Sequence, residues 1–129
     1  MPSPEQIHDV IGRYAASVSS ADKEAILACF SDDATVIDPY PSPPCVGKEA
    51  IGAFWDGVMA LGTPAAFLPE KTVVCADRAV FLFAITVVGA DGGRFGFDGF
   101  DIITVNDAGL ITELVAYWDL SQIAPRPPA

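Results

Sequence analysis

Asp101 is a carboxylate in an otherwise apolar row. From Arg94 to Val105 the chain has strand composition, and period-two alternation puts Phe95, Phe97, Gly99, Asp101, Ile103 and Val105 on one face. If that face turns inward, an unpaired ionised Asp101 costs on the order of several kcal/mol, so the cheaper state is a neutral acid with a raised pKa. A protonated aspartic acid is a hydrogen-bond donor. The opposite face also has Phe100 and Ile102, so the register that sends Asp101 to solvent stays open. With Asp101 inward, Asp98 is expected on the outer side.

Asp38 closes the strand-like run Ala34-Thr35-Val36-Ile37-Asp38, and Pro39 bars further pairing. Its carboxylate is expected at the rim of an interior, ionised and partly desolvated, which suits a general base; a plain strand-end aspartate before proline is the alternative. Tyr14 lies on the apolar stripe Ile7, Val10, Ile11, Tyr14, Ala15 and Val18. Its buried hydroxyl needs a partner, either a core neighbour or a ligand. The only histidine, His8, is one position off that stripe and is expected in solvent. Acid-base chemistry would therefore rest on carboxylates and a phenol, and no metal site is expected. Phe30, Phe54, Trp55, Phe81, Phe83, Phe97 and Trp118 are a large aromatic set. They read either as core or as the walls of a small-molecule pocket.

Positioning these groups takes helices first and strands afterwards. Ser3-Pro4-Glu5-Gln6 combines an N-cap hydroxyl, a proline at the first helical position and a glutamine three residues after the cap. A second helix is predicted from Asp22 to about Phe30, ended by Ser31-Asp32-Asp33, and a third from Lys48 to Met59. The proline-rich run Pro39 to Pro44 reads as a stiff loop, and Ala60 to Ala66 as a linker. Four further strands are predicted, Phe67 to Cys75, Ala79 to Val88, Arg94 to Val105 and Leu110 to Asp119, separated by Gly-, Asp- and Asn-rich turns. Short turns imply an antiparallel meander, giving an α+β fold with helices on one face of a curved sheet. A proline-rich tail runs from Pro125 to Pro128.

The 129 residues suit one domain over 1–129, and 51% apolar residues with a mean hydropathy of +0.38 exclude disorder. The longest stretch free of Asp, Glu, Lys and Arg, Gly57 to Pro69, falls short of the about 20 apolar residues of a membrane-spanning helix. The N-terminus lacks the pattern of a secretory signal, so the expected location is cytoplasmic. Seventeen acidic against seven basic residues give a net charge of −10, which repels nucleic acid and anionic membranes. Cys29, Cys45 and Cys75 have no metal or disulfide spacing and read as small buried hydrophobes.

The run Asp32-Asp33-Ala34-Thr35-Val36-Ile37-Asp38-Pro39, with Gly47, Ala50-Ile51 and Phe54 after it, resembles the bacterial delta-5-3-ketosteroid isomerases of the nuclear transport factor 2-like superfamily. Arg13-Tyr14, Phe100-Asp101 and Ala116-Tyr117-Trp118 extend the resemblance over nearly the whole chain. It implies a cone of three helices wrapped by a curved antiparallel sheet, and a cofactor-free steroid delta-isomerase. Asp38 would shuttle a proton from carbon 4 to carbon 6, with Tyr14 and protonated Asp101 as oxyanion-hole donors. A carboxylic acid kept neutral by an apolar site is this family's own known device, so that role comes with the resemblance. The ligand would be a small apolar ketone, a steroid, held by Phe30, Phe54, Trp55, Phe83, Phe97, Leu114 and Trp118. A homodimer through the outer sheet face, where Phe100 and Ile102 lie, is also expected. The chain departs from the family where Phe30 and Trp55 replace tyrosines, and in its proline-rich Tyr40 to Pro44 segment. Competing readings are a non-catalytic binding or dimerisation module, a polyketide cyclase or dehydratase, which would want a histidine by the pocket, and an epoxide hydrolase. The last would want an arginine between two aspartates, for which Arg94 is the one pocket-strand candidate.

Overall fold

The computed structural model describes residues 1–127; the last two residues of the expected domain, Pro128 and Ala129, lie outside the described residues. Helix α1 (Pro4–Ser19) starts with the expected capping box, Ser3 Oγ accepting from Gln6 N while Gln6 Oε1 accepts from Ser3 N. It packs its apolar stripe on β3 (Thr63–Cys75), and Ser19 Oγ accepts the Phe67 N–H at 2.9 Å, pinning the helix end to that strand.

Helix α2 is only Lys23–Leu27, capped by Asp22. The expected continuation to Phe30 is overturned, because Phe30 begins strand β1 (Phe30–Ile37). Ile26, Leu27 and Phe30 do have helical spacing, but the Cys29 carbonyl accepts from Ile111 N, and Phe30 pairs with Ile111 on β6 (Ile111–Tyr117). The polar Ser31-Asp32-Asp33 falls where the β1–β6 register shifts, which lets Asp32 and Asp33 stay exposed inside a strand. Strand β2 (Cys45–Val46) emerges from the proline-rich loop to pair with β1.

Helix α3 (Lys48–Leu61) runs past Met59, and after the extended Gly62 the chain enters β3 directly at Thr63. The expected linker is thus mostly strand. The sheet order is β2-β1-β6-β5-β4-β3, with β4 as Arg78–Val88 and β5 as Arg94–Val105. One pairing corrects the all-antiparallel expectation: β1 and β6 run parallel. Turn lengths could not reveal it, because the two strands are far apart in sequence. The result is an α+β, nuclear transport factor 2-like fold, three helices against a curved, unclosed sheet. Beyond Trp118 a 3-10 turn (Leu120–Gln122) leads to β7 (Ala124–Pro125), which pairs with β5 at Phe95 and Gly96.

Alternation along β5 resolves the register question. Gly99, Asp101, Ile103 and Val105 are buried, while Asp98 and Phe100 are exposed and Ile102 is half-buried on the outer side. Of the cysteines Cys29 is buried and Cys45 half-buried; Cys75, at the end of β3, is exposed, contrary to expectation. Gly96 has β4 on one side and β7 on the other, and a Cβ there would overlap the Ile85 carbonyl oxygen and press on Arg126 Cγ at 3.2 Å. Since backbone cannot swing aside as a side chain can, Gly96→Ala is expected to destabilise by about 2 kcal/mol or more, read from the urea midpoint.

Candidate active site

The parallel pairing of β1 with β6 assembles the site. Ile37 lies opposite Val115, so Asp38, the next residue, stands level with Ala116; Asp101 on β5 is the antiparallel partner of the same Ala116. The two aspartates therefore share a level of the sheet with one strand between them, about 10 Å apart by strand spacing. Trp118 follows the end of β6 and donates its indole Nε1–H to Asp38 Oδ1 at 2.7 Å. The loop after Asp38 is tied down by Tyr40 N donating to the Ala116 carbonyl at 2.8 Å. Tyr14 approaches from α1, its ring set edge-on against Phe30, Trp55 and Phe67 with centroids 5.9, 6.4 and 5.4 Å away.

Tyr14, Asp38 and Asp101 all line one cavity of about 180 Å³, whose remaining walls are apolar. Tyr14 is 4% and Asp101 2% exposed, and among the described residues neither side chain has a hydrogen-bond partner within the protein. Two O–H groups are thus free to donate into an apolar space. Of the expected ligand-contacting residues, Phe54, Trp55, Phe83, Phe97 and Trp118 line the cavity. Phe30 and Leu114 do not: both are 1% exposed, Phe30 backing the Tyr14 ring and Leu114 packed between β1 and β5. Apolar periodicity marks a side chain as inward without saying whether it meets a neighbour or a void. His8 is exposed, as expected, and so is Arg94.

Other lining residues escaped the sequence reading. Phe67, Ile85, Val87 and Phe95 lie on the same inward strand faces as Phe83 and Phe97, and Val58 and Leu61 continue the Phe54 face of α3. Period-two and helical spacing could have found these six. Leu120 and Ile123 carry no periodic signal, because they come from the irregular segment after β6.

The electrostatics separate the three polar groups. Burial pushes Asp38 up to about 6, against the pull of the Trp118 hydrogen bond, so it is ionised at neutral pH but only moderately basic. Burial, and then the Asp38 charge, hold Asp101 well above the usual carboxylate range. Burial, to which the Asp38 charge adds, likewise raises the Tyr14 phenol and keeps it protonated. One anion therefore faces two neutral donors across a low-dielectric space, an arrangement suited to moving a proton while stabilising an oxyanion.

The SnoaL-like domain model matches residues 11–114, and the chain belongs to that family. It is 26% identical over 113 residues to the Steroid Delta-isomerase of Nocardioides simplex, covering 88% of this chain and 89% of that protein. It is 30% identical over 128 residues to Epoxide hydrolase LasB of Streptomyces lasalocidi, covering 94% of this chain but only 44% of that longer protein. Among solved structures, RV0760c from Mycobacterium tuberculosis in complex with estradiol-17beta-hemisuccinate superposes with a TM-score of 0.82 at 26% identity, covering 92% of this chain and 98% of that one.

Burying Asp38 has a cost that follows pH. Its folded pKa of about 6 lies above the model-peptide value of 3.8, so the native state retains a proton that the unfolded chain releases. Stability therefore falls as pH rises from about 4 to 6, by about 3 kcal/mol. Asp38→Asn, whose amide oxygen can still accept from Trp118, is expected to be more stable than the wild type above pH 6 by about that amount. The difference should vanish below pH 4, as read from urea unfolding at each pH.

Proposed function

We propose that this protein is a cofactor-free steroid delta-isomerase, converting 3-oxo-delta-5-steroids to their conjugated delta-4 isomers. The observation that carries the reading is that Tyr14, Asp38 and Asp101 line a single, otherwise apolar cavity, with only Asp38 ionised at neutral pH. The similarity to the Nocardioides simplex isomerase and to a structure holding a steroid derivative supports the substrate class.

The ketone oxygen lies between the Tyr14 hydroxyl and the protonated Asp101 carboxyl. Asp38 removes a proton from carbon 4, and the electron pair moves onto the carbonyl oxygen to give a dienolate. The two donors meet a charge that is larger in the transition state than in the bound ketone, so they lower the barrier more than they tighten binding. Asp38, now a neutral acid, returns the proton to carbon 6, and the electron pair reforms the carbonyl with the double bond in conjugation. No atom is gained or lost. The Trp118 N–H holds Asp38 in place, and apolar walls exclude the water that would otherwise solvate both charges.

A second reading is favoured by the similarity to LasB. Asp101 as a proton donor to an epoxide oxygen and Asp38 as base for the attacking hydroxyl would use the same pair. No arginine lines the cavity among the described residues, which weighs against the hydrolase arrangement expected from sequence.

Isomerisation of 5-androstene-3,17-dione, followed by the ultraviolet absorbance of the conjugated product, tests the proposal. Asp38→Asn should reduce kcat by about 10² to 10⁴-fold, and Tyr14→Phe and Asp101→Ala should each reduce kcat by about 10² to 10³-fold with little change in KM. The wild-type rate should fall tenfold per pH unit below about 6, as Asp38 takes up a proton. Undiminished turnover in Asp38→Asn would remove the assigned base, and epoxide opening without isomerisation would favour the second reading.

A further inference from the structure

The protein has two tryptophans, and their indole N–H groups fare differently. Trp118 donates to Asp38. Trp55, one turn after Ile51 on the inward face of α3, is only 4% exposed, yet among the described residues its Nε1–H has no hydrogen-bond partner. A buried indole N–H normally finds a partner, because leaving it unpaired forfeits the bond it made to water. Among the described residues no side-chain nitrogen or oxygen sealed from accessible space lacks a partner, so this N–H opens on accessible space. Trp55 lines the cavity that holds Tyr14, Asp38 and Asp101, and that is the space available to it.

The indole is held where it is. Its ring lies edge-on against Tyr14, centroids 6.4 Å apart, and against Phe54 at 5.6 Å, so turning it towards another partner would break both contacts. Of the rings packed on Tyr14, those of Phe30, Trp55 and Phe67, only the indole carries a hydrogen-bond donor. The helical side of the cavity therefore offers an N–H beside the Tyr14 O–H, and the sheet side offers the neutral Asp101 acid.

We propose that the unpaired Trp55 Nε1–H is a third donor to the oxygen of the bound ligand, beside the Tyr14 hydroxyl and the Asp101 carboxyl. The inference rests on the proposed ketosteroid reading, which puts the ketone oxygen between those two groups. Three donors share the two lone pairs of a ketone oxygen but match the three lone pairs and the full charge of a dienolate oxygen. The Trp55 bond therefore strengthens as the proton leaves carbon 4, and a bond that strengthens towards the transition state raises kcat more than it tightens binding.

The test uses the indole proton as its own reporter. In proton–nitrogen correlation spectra the two indole signals are told apart by Trp118→Phe, which leaves that of Trp55. Saturating the wild type with the unreactive product 4-androstene-3,17-dione should move the Trp55 signal downfield and slow its exchange with water. Binding that leaves this signal in place overturns the donor while the ketosteroid reading stands. Absence of both binding and turnover overturns that reading and the donor with it, whereas a moving signal without turnover supports the donor and removes only the isomerase. In kinetics, Trp55→Phe should lower kcat by about 10- to 100-fold, the effect of one hydrogen bond to a charged oxygen, with little change in KM. Trp55→Tyr differs from Trp55→Phe only by a hydroxyl and should recover part of the loss; equal rates in the two variants reduce Trp55 to packing and overturn the donor.

Discussion

Desolvation of two carboxylates on the inner face of one sheet is the constraint on which the site depends. Neither aspartate would be tolerated there by packing alone. Asp38 has one compensating hydrogen bond, from Trp118, and remains an anion at neutral pH. Asp101 has no such partner and resolves the conflict by staying protonated. The same apolar surroundings thus give two identical functional groups opposite roles, acceptor and donor, and the charge on the first reinforces the neutrality of the second. Tyr14 completes the asymmetry from the helical side, where the surrounding Phe30, Trp55 and Phe67 rings pack against its ring edge-on.

The backbone feature that makes this arrangement possible is the parallel contact between β1 and β6. It brings the residue after β1 and the residue after β6 to the same end of the sheet, so that a carboxylate and its hydrogen-bond donor far apart in the chain meet without a long loop. Had β1 paired antiparallel, Asp38 would emerge at the other end, away from Trp118 and Asp101. Stability is given up for this geometry, because each buried acid favours a protonation state that the unfolded chain abandons at lower pH.

Much of the site was legible because it rests on simple periodicities. Asp101 announces itself as the one charge in an alternating apolar row, and Tyr14 as the phenol on a helical stripe; both are buried in the structure. Asp38 could be placed at a strand end from the proline after it. What escaped detection depends on distant pairing. Phe30 has helical spacing from Ile26, yet its backbone is claimed by Ile111, and no local pattern carries that contact. Leu114 and Phe83 look alike as inward strand residues, but only Phe83 borders empty space. Leu120 and Ile123 follow neither period, and their place at the cavity depends on where the segment after β6 is fastened to β5.

Trp118 joins two of these features, since its indole donates to Asp38 while its ring stacks on Phe97 with centroids 4.2 Å apart. The ring is held at both its face and its nitrogen, and the charge against that nitrogen comes and goes with a single proton. An indole so placed is a built-in optical electrode: its excited-state dipole lies against the ionisable carboxylate, so in a protein whose other indole, Trp55, is replaced by phenylalanine its emission is expected to follow the protonation of Asp38 with no label attached.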